Sequence, residues 1–353
     1  MVESYLVIGG SGFLGSHVVQ QLISRGEQFV AVYDIVQPND DEKIVGVRYY
    51  TGDVTDEVNL TAVLKEIACT VLFHTASPVH GLADELYYRV NETGTSVVLN
   101  SCRHASVRAL VYTSSTGVIW TGSDIVGKNE EQLSYPSKGY DAYHHTKATA
   151  EKLVLAENGV DGMATVVLRP CGMIGERDRQ LLWRLATVLK DGQQNVQIGD
   201  NTNLVDYLYV GNAAFAHILA SDRLCYDPAA IGGQVFFITN AQPMPTWDFN
   251  RMVWKEMGDD GTKRIVYIPR YVGMPLAIIA ELWAWITRTK TQFNQFAVKY
   301  VTAIQWYNID KARELLGYEP QISLEEGIRR SVMWWKEVGK EKQDPSTDTS
   351  SGI

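Results

Sequence analysis

The chain has 353 residues, 45% hydrophobic and 21% charged, with 9 Trp, 18 Tyr and 9 Phe. That composition supplies a large core and excludes a disordered or fibrous chain. The net charge of −9 argues against a nucleic-acid partner, which needs a basic face.

Cys69, Cys102, Cys171 and Cys225 show no CxxC spacing. Neither a disulfide framework nor a zinc site is expected from them, and a reducing, cytoplasmic setting fits. The N-terminus runs directly into a strand-like segment, so no secretory leader is expected.

In chain order, Tyr5–Ile8 reads as a buried strand, followed by glycines and a helical pattern over Ser16–Arg25. Phe29–Asp34 is a second strand, Leu60–Ile67 a helix and Val71–His74 a third strand. Glu85–His104 reads as one long helix, Ala109–Ser114 as a strand, Tyr140–Asn158 as a helix and Thr165–Arg169 as a strand. Apolar strands alternating with helices predict a doubly wound α/β fold on a parallel sheet, of Rossmann type. Beyond Arg169 the alternation thins, through helices at Gln180–Lys190, Asn212–Ser221 and Thr246–Met257 and a strand at Val235–Ile238. The expected organisation is a cofactor-binding domain over 1–170, with later segments returning to it, and a smaller C-terminal α/β substrate lobe over 171–338. A disordered tail is expected over 339–353.

Gly9-Gly10-Ser11-Gly12-Phe13-Leu14-Gly15 lies between the first strand and the first helix. Glycines there permit a tight turn and close approach of a pyrophosphate to the helix N-terminus. The bland alternative is an ordinary βα turn. Asp34 tips the balance, because it ends the next strand about 20 residues on, where a carboxylate meets a ribose hydroxyl. A carboxylate would repel a 2′-phosphate, so NAD is expected over NADP.

Tyr143-x-x-x-Lys147 places a phenol and an ammonium one helical turn apart. An ammonium beside a phenol eases its ionisation, making Tyr143 a candidate general acid/base. The same spacing also arises on ordinary solvated helix faces. Ser115 follows the strand Ala109–Ser114, at the sheet edge where such folds bind ligands; its bland reading is a cap. His74, His144 and His145 show no third ligand at metal spacing. They read as packing or solvent-facing residues, and no metal is expected.

With these residues in place, the chain resembles the extended short-chain dehydrogenase/reductases. Within them it is similar to the 3β-hydroxysteroid dehydrogenase group, nearest the sterol-4α-carboxylate 3-dehydrogenases. The resemblance spans roughly residues 4 to 335 and is carried by Val7–Gly15, Gly52-Asp53-Val54, Phe73–Pro78, Tyr88–Thr95, Tyr112–Ser115, Tyr143-x-x-x-Lys147, Leu168-Arg169-Pro170 and Asn203–Val210, with later matches at Phe237–Asn240 and Asp310–Pro320. It implies that Ser115, Tyr143 and Lys147 are catalytic. It implies that Gly9, Gly12, Phe13, Leu14, Asp34, Asp53, Val54, Thr75, Ala76, Asn91, Tyr143, Lys147 and Pro170 line or support the cofactor site. Ser115, Gly172 and Met173 are assigned to substrate, and Asp206 and Tyr209 to support of the substrate lobe, while Arg169 reads as structural. The implied activity is NAD-dependent oxidation of a 3β-hydroxyl on a sterol or terpenoid, with loss of a neighbouring C4 carboxylate as CO2. Two alternatives stay open: a 3β-hydroxysteroid dehydrogenase/Δ-isomerase, and a specialised terpenoid dehydrogenase. The intact Tyr/Lys pair argues against a non-catalytic dinucleotide sensor. The late aromatic residues argue against a nucleotide-sugar epimerase.

Tyr271–Ile286 is apolar except for Glu281 and precedes Arg288 and Lys290. It is too short and too broken to span a bilayer. Helices roofing an apolar pocket are the preferred reading, ahead of an interfacial helix that contacts a membrane, here that of the endoplasmic reticulum, over 271–290. A homodimer is admitted by the resemblance.

Overall fold

The computed structural model describes residues 2–289, 291 and 293–339. Lys290 and the expected tail beyond Gly339 lie outside the described residues.

The chain divides into two interleaved units. The first comprises residues 1–173, 206–243 and 304–321; the second takes 174–205, 244–303 and the remainder. The division is not one cut at residue 170, because two later stretches belong with the first unit.

The first unit is built on seven parallel strands: β1 (Tyr5–Ile8), β2 (Val30–Asp34), β3 (Val47–Thr51), β4 (Val71–His74), β5 (Ala109–Thr113), β6 (Ala164–Pro170) and β7 (Gln234–Ile238). Their order is β7-β6-β5-β4-β1-β2-β3. β1 and β4 to β6 are almost wholly buried, which is why they read as unbroken apolar runs. β3 was not expected. It is the edge strand, and its sequence Val-Arg-Tyr-Tyr-Thr is half-covered, so it lacks that apolar signature.

Helices α1 (Phe13–Ser24), α2 (Glu57–Glu66), α3 (Thr95–His104), α4 (Ala142–Ala156) and α5 (Val210–Tyr226) cover the sheet. Leu6, Ile8, Tyr33, Leu60, Leu72 and Leu110 are among the buried side chains of one core cluster. In place of a single helix over Glu85–His104, a short helix at Asp84–Tyr87 passes through a π-turn, Tyr88–Gly94, into α3. A Cβ on Gly94 would stand 2.7 Å from Val54 Cγ1, so the wide turn is pressed against the loop after β3.

Strand register aligns the C-terminal ends: Ile8 is opposite His74, His74 opposite Tyr112, and Thr113 opposite Leu168. The strand order reverses around β1 and β4, the place where doubly wound sheets open a crevice.

The second unit contains α6 (Thr246–Met257), α7 (Arg270–Thr287), α8 (Gln295–Thr302) and α9 (Leu324–Trp334). Its core is tied by indole donors: Trp254 Nε1 to Leu185 O at 2.9 Å and Trp247 Nε1 to Ile198 O at 2.8 Å.

Along α7 the covered residues are Gly273, Ala277 and Ala284. Tyr271, Ile279, Leu282 and Ile286 are exposed, as are Trp283 (67%) and Trp285 (77%). This corrects the pocket-roof reading, which requires the large side chains to be covered. Small residues pack inward, and Glu281 turns its carboxylate to the α8 N-terminus, accepting from Gln295 N at 2.9 Å. Among the described residues no helix is long and apolar enough to cross a membrane. Of the other late aromatics, Tyr307 is a core residue against Phe237 (4.7 Å between ring centroids), so it does not line an open pocket.

Candidate active site

Gly9 has φ +79°, and a Cβ there would lie 2.8 Å from the backbone of Ala76. A side chain on Gly15 would strike the Gly9 carbonyl. These two positions let the end of β1, the loop after β4 and α1 meet without separation. Thr75 fixes the same junction, its Oγ1 donating to Ile8 O at 2.8 Å. Gly12 is the N-cap of α1 and brings no side-chain cap, so first-turn N–H groups remain for an anion. Phe13 is half-buried and Leu14 buried in that turn.

Asp34 ends β2 with Oδ2 accepting from Ser11 N at 3.0 Å, so the acid holds the glycine turn. Burial pushes its carboxyl up, against backbone hydrogen bonds from Ser11, Val36 and Ile35. Asp53, beside Val54 in the loop after β3, accepts from Thr55 N (2.9 Å) and from Arg89. The residues present fit a dinucleotide: a glycine cradle that a Cβ would fill, an uncapped helix N-terminus and a carboxylate at the next strand end.

Beyond β5, Ser114 donates to Glu151, while Ser115 Oγ accepts from Gly117 N at 3.0 Å. Ser115 therefore does cap the turn that follows, and its hydroxyl hydrogen can still be directed elsewhere.

Tyr143 and Lys147 lie one turn apart on α4, as expected. Lys147 is only 2% exposed; its Nζ donates to Thr113 O at 2.5 Å and lies 4.3 Å from the Tyr112 ring centroid. Burial lowers its ammonium to about 7, opposed by Glu151. The Tyr143 ring is bracketed edge-on by His80 (5.3 Å), His144 (5.4 Å) and Tyr87 (5.7 Å).

Asn91, buried in the π-turn, accepts from Ser77 Oγ (3.0 Å) and donates to Thr146 Oγ1 (3.0 Å). It thereby ties the π-turn to α4 next to Lys147. Arg169 and Glu151 form a buried ion pair at 2.5 Å, also reached by Tyr135 (2.6 Å). Sequence reading gave Arg169 a structural role and missed Glu151, whose position one turn past Lys147 was the available signal. Pro170 ends β6, and Gly172 and Met173 follow on a short strand. Asp206 is buried, accepts from Tyr307 N at 2.9 Å and is raised to about 7 by burial.

The histidines divide. His74 is a packing residue, bonded to Thr95 Oγ1 at 3.0 Å and lowered to about 3 by burial. His145 is half-buried beside Tyr88. His144 departs from the expectation of no third ligand: Asp141, three residues before it, and His80, from the loop after β4, both come within reach. Spacing along one helix could not reveal a residue delivered by another element.

The sequence profile of the 3-beta hydroxysteroid dehydrogenase/isomerase family matches residues 6–269. The chain belongs to that family. It is 42% identical over 338 residues to the sterol-4-alpha-carboxylate 3-dehydrogenase, decarboxylating, of Schizosaccharomyces pombe, covering 94% of this chain and 97% of that protein. The proteins of the same name from Saccharomyces cerevisiae and Homo sapiens are 38% and 35% identical, covering 95% of this chain and 99% and 89% of theirs. Among solved structures, the Thermus thermophilus UDP-glucose 4-epimerase complex with NAD superposes with a TM-score of 0.71 at 22% identity. That match covers 95% of this chain and 99% of the epimerase. At that identity the likeness establishes the fold of this family member and not its substrate.

Proposed function

We propose that this family member is an NAD-dependent dehydrogenase of a 3β-hydroxysterol bearing a C4 carboxylate, which it oxidises and decarboxylates. The observation that carries the reading is near-full-length similarity to enzymes of that name, at 35–42% identity. Tyr143 and Lys147 one turn apart on α4, with Lys147 Nζ bonded to Thr113 O two residues before Ser115, support it.

The glycine turn and Asp34 would hold NAD, which when bound would supply the acceptor for the two electrons of the substrate C–H bond. Tyr143, as phenolate, takes the hydroxyl proton while the C–H bond breaks and the C=O bond forms. Ser115 donates to the same oxygen and orients it. Lys147, anchored on Thr113 O, brings positive charge to this end of α4. Oxidation leaves a β-keto acid. When its C–C bond to the carboxylate breaks, the electron pair moves onto the ketone oxygen, where the newly protonated Tyr143 and Ser115 donate hydrogen bonds to the enolate.

α7 is the membrane contact of this reading, peripheral to the endoplasmic reticulum, with Trp283 and Trp285 entering the headgroup region. A sterol substrate resides in such a layer.

The test incubates purified protein with a 4α-carboxy-3β-hydroxysterol and follows NADH and CO2, with NADP in parallel. Equimolar NADH and CO2, with NADP much the poorer acceptor, are expected. Equal turnover of a 3β-hydroxy-5-ene steroid lacking the carboxylate, or NADH without CO2, overturns the reading.

A further inference from the structure

We propose that His80, Asp141 and His144 form a zinc-binding site beside Tyr143. Their ligand atoms all lie within 4.8 Å of one another. His80 Nε2 is 2.9 Å from Asp141 Oδ2, and His144 Nδ1 is 2.7 Å from Asp141 Oδ1. Two imidazole nitrogens and one carboxylate oxygen are a zinc donor set, with a fourth position open to water.

The three ligands are pre-aligned by features that do not depend on a cation. Asp141 is the N-cap of α4, accepting from His144 N at 2.9 Å. His144 is buried, and a Cβ on Gly117 would lie 2.6 Å from its Nε2, so glycine at 117 lets the imidazole seat there. His80 and Asp141 are about one-third exposed, which gives a cation entry. Even at the ordinary acidity of a carboxyl, Asp141 supplies the anionic oxygen of the set at neutral pH.

Zinc replaces the hydrogens now lying between imidazoles and carboxylate. Each ligating imidazole then binds through the nitrogen that faces the carboxylate, which leaves the other ring nitrogen to carry a proton. Thiols compete poorly: burial raises Cys69 to about 12 and Cys225 to about 11, and holds Cys102 and Cys171 well above their ordinary value.

Both histidine rings pack on Tyr143, so capturing a cation re-aims its surroundings. Zinc is therefore expected to lower the dehydrogenase rate. That consequence rests on the role proposed for Tyr143; the binding itself does not.

The experiment titrates zinc chloride into metal-free full-length protein by calorimetry, and cobalt(II) by visible absorption. One ion per chain, with the intense cobalt band of a tetrahedral site, is expected. His80→Ala and Asp141→Asn should each weaken binding by about a hundredfold. Asparagine is also a good N-cap, so Asp141→Asn removes the charge while keeping the helix start, which circular dichroism checks. No binding by the parent protein, or unchanged affinity in both folded variants, overturns the proposal. Binding that is lost in the variants but leaves the parent's dehydrogenase rate untouched retains the site and removes only the link to Tyr143.

Discussion

At the C-terminal edge of the sheet, charged side chains are buried; along α7, large apolar side chains face water. Both regions reverse the usual partition, in opposite directions. The first is completed by the chain itself: Glu151, fully buried, receives Arg169, Ser114 and Tyr135, and Lys147 is anchored on a carbonyl. Among the described residues α7 has no such completion in its own unit, where Gly273, Ala277 and Ala284 are its buried residues. Buried charge must be paired internally or it destabilises the fold. Exposed apolar surface of this extent is what the proposed membrane contact would cover.

The largest effect that bears on this contrast lies at Tyr143. Tyr143→Phe removes one oxygen and leaves the bracketing rings in place. It should lower kcat by about 10³-fold with an unchanged melting midpoint. Steady-state NADH formation checks it, and retention of full turnover removes Tyr143 from the chemistry.

Next is the buried pair. Glu151→Gln leaves the Arg169 guanidinium without its counter-ion in a nearly closed environment. A loss of about 3–5 kcal/mol is expected in urea unfolding. Unchanged stability would mean that the strand-end network is not self-completing.

Lys147 offers a gentler probe through pH. In the folded chain its ammonium titrates near 7, against about 10.4 when unfolded. Between those values the unfolded chain binds the extra proton, so stability rises with pH, by at most about 1.4 kcal/mol per pH unit. Lys147→Met lacks that contribution. Wild-type stability relative to the variant should therefore grow from pH 7 to 9. Parallel curves would show that burial does not depress this lysine.

How much of this was legible follows the same division. β1, β4 and β5 are covered on both faces, so their apolar runs announce them, and the glycine turn and Tyr143-x-x-x-Lys147 depend on local spacing alone. The π-turn was not legible, because backbone winding leaves no residue pattern distinct from a helix; Asn91 was found by resemblance, its bonds to Ser77 and Thr146 by structure. His80 reaches His144 only through the fold. In α7 hydrophobicity was read correctly and its direction was not. The stripe Gly273, Ala277, Ala284 held the missing signal, since small residues at helical spacing let a helix pack closely on that face and leave the large ones outside.

The smallest effect tests that direction. Trp283→Glu combined with Trp285→Glu alters two exposed positions, so the melting midpoint should move little. Transferring apolar side chains from water into a lipid interface contributes on the order of 1 kcal/mol per partly covered residue. Replacing both with carboxylates should therefore reduce partition onto anionic phospholipid vesicles by about tenfold or more, measured by co-sedimentation. If the double variant partitions as the parent does, α7 is not the contact. If it instead melts far lower, these tryptophans stabilise the fold itself, and α7 and the strand-end site are alike in being completed from within the chain.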